Sequence, residues 1–547
     1  MILDNKTYKQ KMKRKYLTKN TLLYFFLLSS GNLFSQERGL DEKINEAFTP
    51  IANWWEGLIL HNFLGTGIPT IIILLVGGAL FFTFYFGFVN IRHFSTAINT
   101  VRGKYDSLEE NIKKKQKSQI SESPDITQSK TDHGEVSHFQ ALATAVSGTV
   151  GNGNIAGVAL AIAVGGPGAT FWMILCGLIG MSTKFVECTL GVKYRDVGSD
   201  GTVYGGPMYY LTKGLQEKGF VSLGKTLAVI FAFLCIGASF GGGNAAQSNQ
   251  AAMQLVSSFG MTGGSARTII GIIMMILVGI IIIGGIKRIA SVTEKVVPFM
   301  ALMYIIACLY IIFSNFSFVD DAFGMIFTQA FKPQAGLGGL LGVLITGFRR
   351  AAFSNEAGAG SASIAHSAVK TKYPASEGLV ALLEPFIDTV VICTMTALVI
   401  IIFNGNSSVF EYGGIGGVVM IDAVPAEGAG ITAAAFSEYI SFSGPFLTIA
   451  VVLFAISTMI SWSYYGLQSW MYVFGKSKIS GLIYKCLFLI FIVIGAAGDM
   501  SSVWAFSDAM ILALVFPNMI GLLLLYPKVK EELNNYLIKI NNTKSNN

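Results

Sequence analysis

Ser147-Gly148-Thr149-Val150-Gly151-Asn152-Gly153-Asn154 lies inside an apolar run extending from about Phe139 to Gly165. Three of these eight residues are glycine and two are asparagine, types that make an uninterrupted helix costly. Backbone that cannot stay helical inside a bilayer needs protein partners, a water-filled cavity or a bound ion. The stretch therefore reads as a discontinuous helix, and most of the other segments read as walls facing it.

The composition supports a bilayer setting. Of 547 residues, 52% are hydrophobic, 13% are charged and 61 are glycine, with a mean hydropathy of +0.57. Soluble domains carry about 25% charged residues, and repeated apolar runs of about 20 mark membrane spans. The chain is read as an all-α polytopic membrane protein. Its net charge of +7 comes from basic residues clustered in short segments between spans. That pattern marks cytoplasmic loops and argues against nucleic acid as a partner. Cysteines 176, 188, 235, 308, 393 and 486 lie in or beside apolar segments without metal-binding spacing, and read as small buried residues.

Outward from the opening stretch, eleven spans are expected, near 68–89, 139–165, 169–192, 224–256, 267–286, 292–314, 338–367, 377–403, 433–474, 481–497 and 503–526. Lys11, Lys13, Arg14, Lys15 and Lys19 precede a short apolar run at 21–28. Residues 1–36 thus read as a cleaved signal peptide, with a retained anchor as the alternative. Residues 37–67 follow as an exterior, interfacial segment carrying Trp54 and Trp55, and 68–92 as the first helix. The lysine-rich loop 93–137 is expected to be a disordered cytoplasmic insert. Five spans fall within 138–316, an exterior or re-entrant linker within 317–337, five more spans within 338–527, and a cytoplasmic tail at 528–547. Loops placed inside hold the basic clusters, whereas 404–437 has no lysine or arginine. This alternation puts the N-terminus outside and the C-terminus in the cytoplasm of a plasma (inner) membrane.

Without the first span, ten remain, in two sets of five. Each set opens on a glycine-broken helix, and Gly151-Asn-Gly-Asn-Ile-Ala is echoed by Gly358-Ala-Gly-Ser-Ala-Ser-Ile-Ala. An odd number of spans per set makes the halves inverted repeats. Paired interrupted helices point to a transport site at the midplane. Enzyme readings fail on detail: Gly151-x-Gly153-x-x-x-Gly157 has the wrong spacing for a dinucleotide fingerprint, and no Lys-Ser/Thr completes a phosphate loop. Histidines 61, 93, 133, 138 and 366 form no ligand pair by spacing. No enzyme is expected.

Other spans carry polar faces. Asn244, Gln247, Ser248 and Gln254 recur near helical spacing, and interhelical hydrogen bonding is the plain alternative to a binding role. Thr458, Ser461, Trp462 and Tyr465 share a face, with Ser457 beside it. The hydroxyls suit a small hard cation, and the indole suits a cavity wall. Glu384 and Asp388 lie four apart, and acids inside a membrane are functional suspects, or partners of Arg349, Arg350 or Lys184.

Several runs carry a family likeness: His138-Phe-Gln-Ala-Leu, Thr149-Val-Gly-Asn-Gly-Asn-Ile-Ala-Gly-Val-Ala, Gly165-Gly-Pro-Gly-Ala, Lys184–Arg195, Phe353-Ser-Asn-Glu-Ala-Gly-Ala-Gly-Ser, Glu384-Pro-Phe-Ile-Asp-Thr and Ser461-Trp-Ser-Tyr-Tyr-Gly. The chain resembles the alanine/glycine:cation symporter family from about residue 65 to 527. The resemblance implies uptake of small neutral amino acids coupled to sodium, or to protons in some members. It also implies a leucine-transporter-like fold of inverted five-helix repeats with broken helices 2 and 7 and one extra N-terminal helix. Asn152 stands where threonine is common in that family, and Ala359 and Ser363 where leucine and proline are.

For a zwitterionic substrate, the N–H groups of Gly151, Asn152 and Gly153 at the start of a half-helix suit the carboxylate. Unwound carbonyls near Thr149 and Gly347 suit the ammonium. The resemblance adds Gln247 on the carboxylate, Trp462 as a limit on side-chain volume, and a sodium site from the Ser147 and Val150 carbonyls with the Ser457 and Thr458 hydroxyls. Asn154, Arg349, Arg350, Asn355, Glu356, Glu384 and Asp388 are gating or structural candidates. Sodium is co-transported cargo, the bilayer is the setting, and a monomer suffices. A receptor or scaffold with the same fold stays as the alternative.

Overall fold

The computed structural model describes residues 40–106, 108, 134–199, 201–332 and 339–545. The expected signal peptide, most of the lysine-rich insert and part of the 317–337 linker lie outside them. The described residues are mostly helical: α1 (Leu40–Ile59), α2 (Thr70–Tyr85), α3 (His138–Thr149), α4 (Val158–Gly165), α5 (Gly168–Lys193), α6 (Val221–Phe240), α7 (Ala246–Ser258), α8 (Ala266–Ile282), α9 (Gly285–Ser314), α10 (Val319–Phe331), α11 (Gly339–Asn355), α12 (Ala362–His366), α13 (Pro374–Ala381), α14 (Thr394–Ser407), α15 (Ala429–Tyr439), α16 (Ser443–Phe474), α17 (Lys478–Ala497), α18 (Met500–Ala513) and α19 (Val515–Ser545). Seven of the described helices are long and apolar enough to cross a bilayer, or eight if α3 and α4 are one bent span. α2 and α8 are shorter apolar helices.

The opening stretch is broken as its composition requires. α3 ends at Thr149, and a π-helical turn, Gly153–Gly157, leads into α4 at a bend of 50°. Two further π-helical stretches occur among the described residues: Gly241–Ala245 between α6 and α7, and Phe386–Cys393 before α14. Wide turns of this kind concentrate at functional sites, and all three supply residues to the site described below.

Several expected boundaries shift. The span expected at 433–474 divides into α15 and α16, separated by the non-helical Ile440–Phe442. Lys287 and Arg288, expected in a loop, lie in the first turn of α9. α1 is an amphipathic helix as the Trp54-Trp55 segment suggested, packed on α18 at the end of the molecule that carries Asp499. The expected tail at 528–547 continues α19 as helix to Ser545. The 404–437 segment folds into a hairpin, Val419–Ile421 paired with Val424–Ala426, followed by α15.

Candidate functional site

At the first break the free backbone groups meet side chains. The Gly151 N–H donates to Asn154 Oδ1 at 2.8 Å, and the Asn152 N–H donates to Gln247 Oε1 at 2.9 Å. Gln247 Nε2 donates to the Gly242 carbonyl at 3.0 Å, and Asn152 Nδ2 to the Gln247 carbonyl at 3.2 Å. Two of the donors expected to face a carboxylate are thus held by two amide oxygens, and Gln247 is one of those amides. Glycine is required at 151 for space: a Cβ would collide with Thr458 Oγ1 and lie 3.0 Å from Gln247 Oε1. At Gly153 a Cβ would stand 3.3 Å from the Phe353 ring. The Thr149 hydroxyl turns back to carbonyls of its own helix, Ala145 and Val146.

These turns free two carbonyls. In a continuous helix the Gly151 and Asn154 amides would donate to the carbonyls of Ser147 and Val150, four residues back. Instead Gly151 turns to Asn154 Oδ1 and the Asn154 N–H turns to the Gly151 carbonyl at 3.1 Å. Across from them runs α16. Ser147 Oγ donates to the Ser457 carbonyl at 2.7 Å, and the Ser457 hydroxyl donates to Phe454 in its own helix. Thr458 Oγ1, Ser461 Oγ and Tyr465 Oη, spaced along one face of α16, are buried without a hydrogen-bond partner. Such groups are rare in a folded interior and call for a ligand. Ser147 therefore meets Ser457, and Thr458, whose hydroxyl remains free, sits against Gly151, the residue after Val150.

The second break differs from the expected position. Gly347 is helical within α11, where a Cβ would overlap Ala169 and Trp172 of α5. Its carbonyl is not unwound; the glycine is there to let two helices approach. The chain breaks later, at 356–361, where Glu356, Gly358 and Gly360 have φ of 55°, 94° and 82°. Asn355 Oδ1 accepts from the Ala357 N–H at 3.0 Å and its amide donates to Thr389 Oγ1 at 2.9 Å. Trp462 Nε1 donates to Glu356 Oε1 at 2.9 Å, and Ser361 Oγ donates to Glu356 Oε2. Trp462 also fills the space that a side chain at Gly243 would need. The indole thus spans from the α6–α7 turn to the second break.

Phe353 was not expected from the sequence. It packs on Gly153 and Gly242 and meets Trp504 at 4.7 Å between ring centroids. Arg349 and Arg350 lie beside it. Both pair with Asp508 of α18, Arg349 through Nε at 2.7 Å, and Arg349 also pairs with Glu56 of α1. The Arg350 guanidinium stands 5.2 Å from the Trp504 ring centre. Glu56, Arg349, Arg350, Trp504 and Asp508 line a cleft of about 350 Å³ with Leu160 and Val164 of α4. Asp508, a lone acid inside an apolar segment, carried the same signal as Glu384 and could have been found by it.

Glu384 and Asp388 have separate surroundings. Glu384 pairs with Lys184 at 3.1 Å, and His366 Nε2 lies 3.6 Å from its other oxygen. His366 Nδ1 reaches Glu377 at 2.6 Å, and Glu377 also pairs with His138 at the start of α3. The histidines that spacing left unrelated are therefore joined through one carboxylate. Asp388 instead accepts from Asn154 Nδ2 at 2.6 Å, Ser354 Oγ at 2.8 Å and Thr389 Oγ1 at 2.7 Å. It ties the first break to the end of α11. On the Gly241–Ala245 turn and α7, other polar residues bind neighbouring helices: Asn244 donates to the Phe488 carbonyl, and Gln254 donates to Thr448. Gln247 is the one that meets the break.

The sodium:alanine symporter family matches residues 58–547. The sodium/alanine symporter AgcS of Methanococcus maripaludis is 40% identical over 465 residues, covering 85% of this chain and 93% of that protein. The "Probable sodium/glutamine symporter GlnT" of Bacillus subtilis is 33% identical, covering 85% and 87%. The amino-acid carrier protein AlsT of the same organism is 32% identical, covering 83% and 86%. The chain belongs to the sodium:alanine symporter family and is a multi-pass membrane transporter, not an enzyme.

Proposed function

We propose that this transporter imports small neutral amino acids, alanine and glycine, together with sodium, by alternating access around the first break. The observation that carries this reading is that the Gly151 and Asn154 amides donate elsewhere than to the Ser147 and Val150 carbonyls, beside a Thr458 hydroxyl that has no partner and sits against Gly151. A hard cation favours such oxygen ligands. The substrate carboxylate takes the N–H groups of Gly151, Asn152 and Gly153 once the Gln247 and Asn154 amides yield, and Gln247 then shares it. Thr149 supplies a carbonyl to the ammonium. Phe353 and Trp462 bound the side-chain space from two sides, which favours a methyl group or hydrogen and excludes bulk. Arg349 and Arg350 with Asp508 form the gate on the side that the basic-residue pattern makes exterior.

Eleven spans, two inverted sets of five after an initial helix, and an exterior N-terminus complete the proposed architecture. The pairing of broken helices at the start of each set supports it. One sodium entering with a neutral substrate gains roughly 2.3 kcal/mol per 100 mV. That corresponds to roughly fifty-fold accumulation before any sodium gradient is added. A proton-coupled reading draws on the buried His138–Glu377–His366–Glu384 chain. Reconstituted protein separates the two. Labelled alanine should accumulate in liposomes when sodium is imposed outside, and a pH gradient alone should not drive it. Accumulation indifferent to sodium and to membrane potential sinks the symport reading.

A further inference from the structure

α1 lies almost wholly ahead of residue 58, where the family match begins, yet one of its side chains reaches the candidate site. Asp41, Asn45, Phe48, Ala52 and Glu56 follow one another at three- or four-residue spacing and so share a face of the helix. Asp41 accepts from the Thr268 hydroxyl at 2.6 Å and pairs with Arg267 at 3.5 Å, both at the start of α8. Asn45 Oδ1 accepts the Asp499 N–H at 2.9 Å, just before α18, and the Phe48 ring meets Phe506 of α18 at 5.2 Å between centroids. The Thr49 and Ser502 hydroxyls lie 2.8 Å apart, and Ala52 is buried. α1 is thus fixed to α8 and α18 along most of its length. Glu56, one turn beyond Ala52, is what it extends toward α11.

That last contact crosses the cleft. Arg349 of α11 stands between two carboxylates, Glu56 of α1 and Asp508 of α18. Their settings differ, because the Asp508 side chain is 1% exposed and that of Glu56 is 29% exposed. Parting a buried pair leaves an uncompensated charge, whereas a wet pair separates at small cost. Opening the cleft moves α11 away from α18. Glu56 rides on an element fastened to α18, so it must release Arg349 in the same step. We propose that α1 is a strap across the exterior cleft and that Glu56 is its positioning residue, holding Arg349 within reach of Asp508 and so favouring the closed cleft. The proposal rests on the reading of Arg349, Arg350 and Asp508 as the exterior gate. Glu56 also balances the cleft, two carboxylates against two guanidinium groups.

Ala505 of α18 lines the same cleft and is 9% exposed, so a cysteine there reports opening. Five of the six native cysteines are buried, and Cys486→Ser removes the sixth. In the full chain held in lipid nanodiscs and carrying Ala505→Cys, modification is timed with an anionic and with a cationic methanethiosulfonate reagent. Glu56→Gln should speed both, roughly two- to fivefold, the range for a partly exposed ion pair. Phe48→Ala, which loosens α1 two turns away from Glu56, should speed both in the same way. Unchanged rates in either variant overturn the strap. A Glu56→Gln chain that reacts faster with the anionic reagent and slower with the cationic one shows a charge at the mouth and no strap. Asp508→Asn tests the gate reading separately, and should speed both reagents more than Glu56→Gln does. Unchanged rates in Asp508→Asn remove the gate itself, whereas a gain there with none in Glu56→Gln removes only the strap.

Discussion

The two broken helices reach their breaks by different means. At the first, Asn152 keeps an ordinary right-handed backbone, and the freed N–H groups rest on two neutral amides, Asn154 and Gln247. At the second, three left-handed residues turn the chain, and Glu356, Asn355 and Asn518 fasten it to α16, the Phe386–Cys393 stretch and α19. A neutral hydrogen bond contributes about 1 kcal/mol net, so the first set of partners can exchange for a substrate at little cost. Left-handed backbone at a non-glycine residue is held only by firm surroundings. In the proposed mechanism the first break exchanges its partners for a ligand, whereas the second stays turned.

The sharpest way to break this contrast is to put the same methyl group into each. Gly360→Ala places a Cβ within 2.8 Å of Pro207 at a φ of 82°, strained whatever the space. About 1–3 kcal/mol of strain is expected, read as a lower melting temperature of the detergent-solubilised protein. Gly153→Ala meets Phe353 at 3.3 Å without a positive φ; it should leave melting unchanged and cut uptake. Equal melting losses in both would erase the distinction between the breaks.

A smaller effect is expected from Gln247→Ala. It leaves the buried Asn152 N–H without its acceptor, a loss of about 1–2 kcal/mol, or roughly tenfold in the alanine concentration needed for half-maximal uptake. An unchanged concentration dependence would take Gln247 out of the site. The smallest is Thr458→Ala. Its hydroxyl has no protein partner to lose, so melting should hold while the sodium requirement rises several-fold. Unchanged sodium dependence would remove Thr458 from the cation site.

Much of this site was legible along the chain. The helix break at Gly151–Gly153, the hydroxyl face of Thr458, Ser461 and Tyr465, and the importance of Gln247 follow from residue types that do not belong in lipid. Gly347 was misread because a glycine in an apolar run signals either an unwound turn or a close helix contact, and only packing against Ala169 and Trp172 decides which. Phe353 gave no signal, since an aromatic residue in an apolar segment is what lipid or core packing would also select. His138, Glu377 and His366 looked unrelated because 228 residues separate the two histidines, and sequence spacing says nothing about contacts across that distance.

By itself, the sequence determined the bilayer setting, the family and the helix break at Gly151–Gly153, because hydrophobic length and the cost of glycine and asparagine inside a helix are local properties. Tertiary structure alone decided what each freed group meets. Gly151 and Asn152 find amides, the Ser147 hydroxyl finds the Ser457 carbonyl, and Asp388 finds neutral donors while Glu384 finds Lys184. The physical reason is that hydrogen bonds and ion pairs act over a few ångströms between helices far apart in the chain. The Ser147–Asn154 stretch fixes that its backbone must be satisfied from outside its own helix; the packing of α7, α16 and the Phe386–Cys393 turn fixes by what.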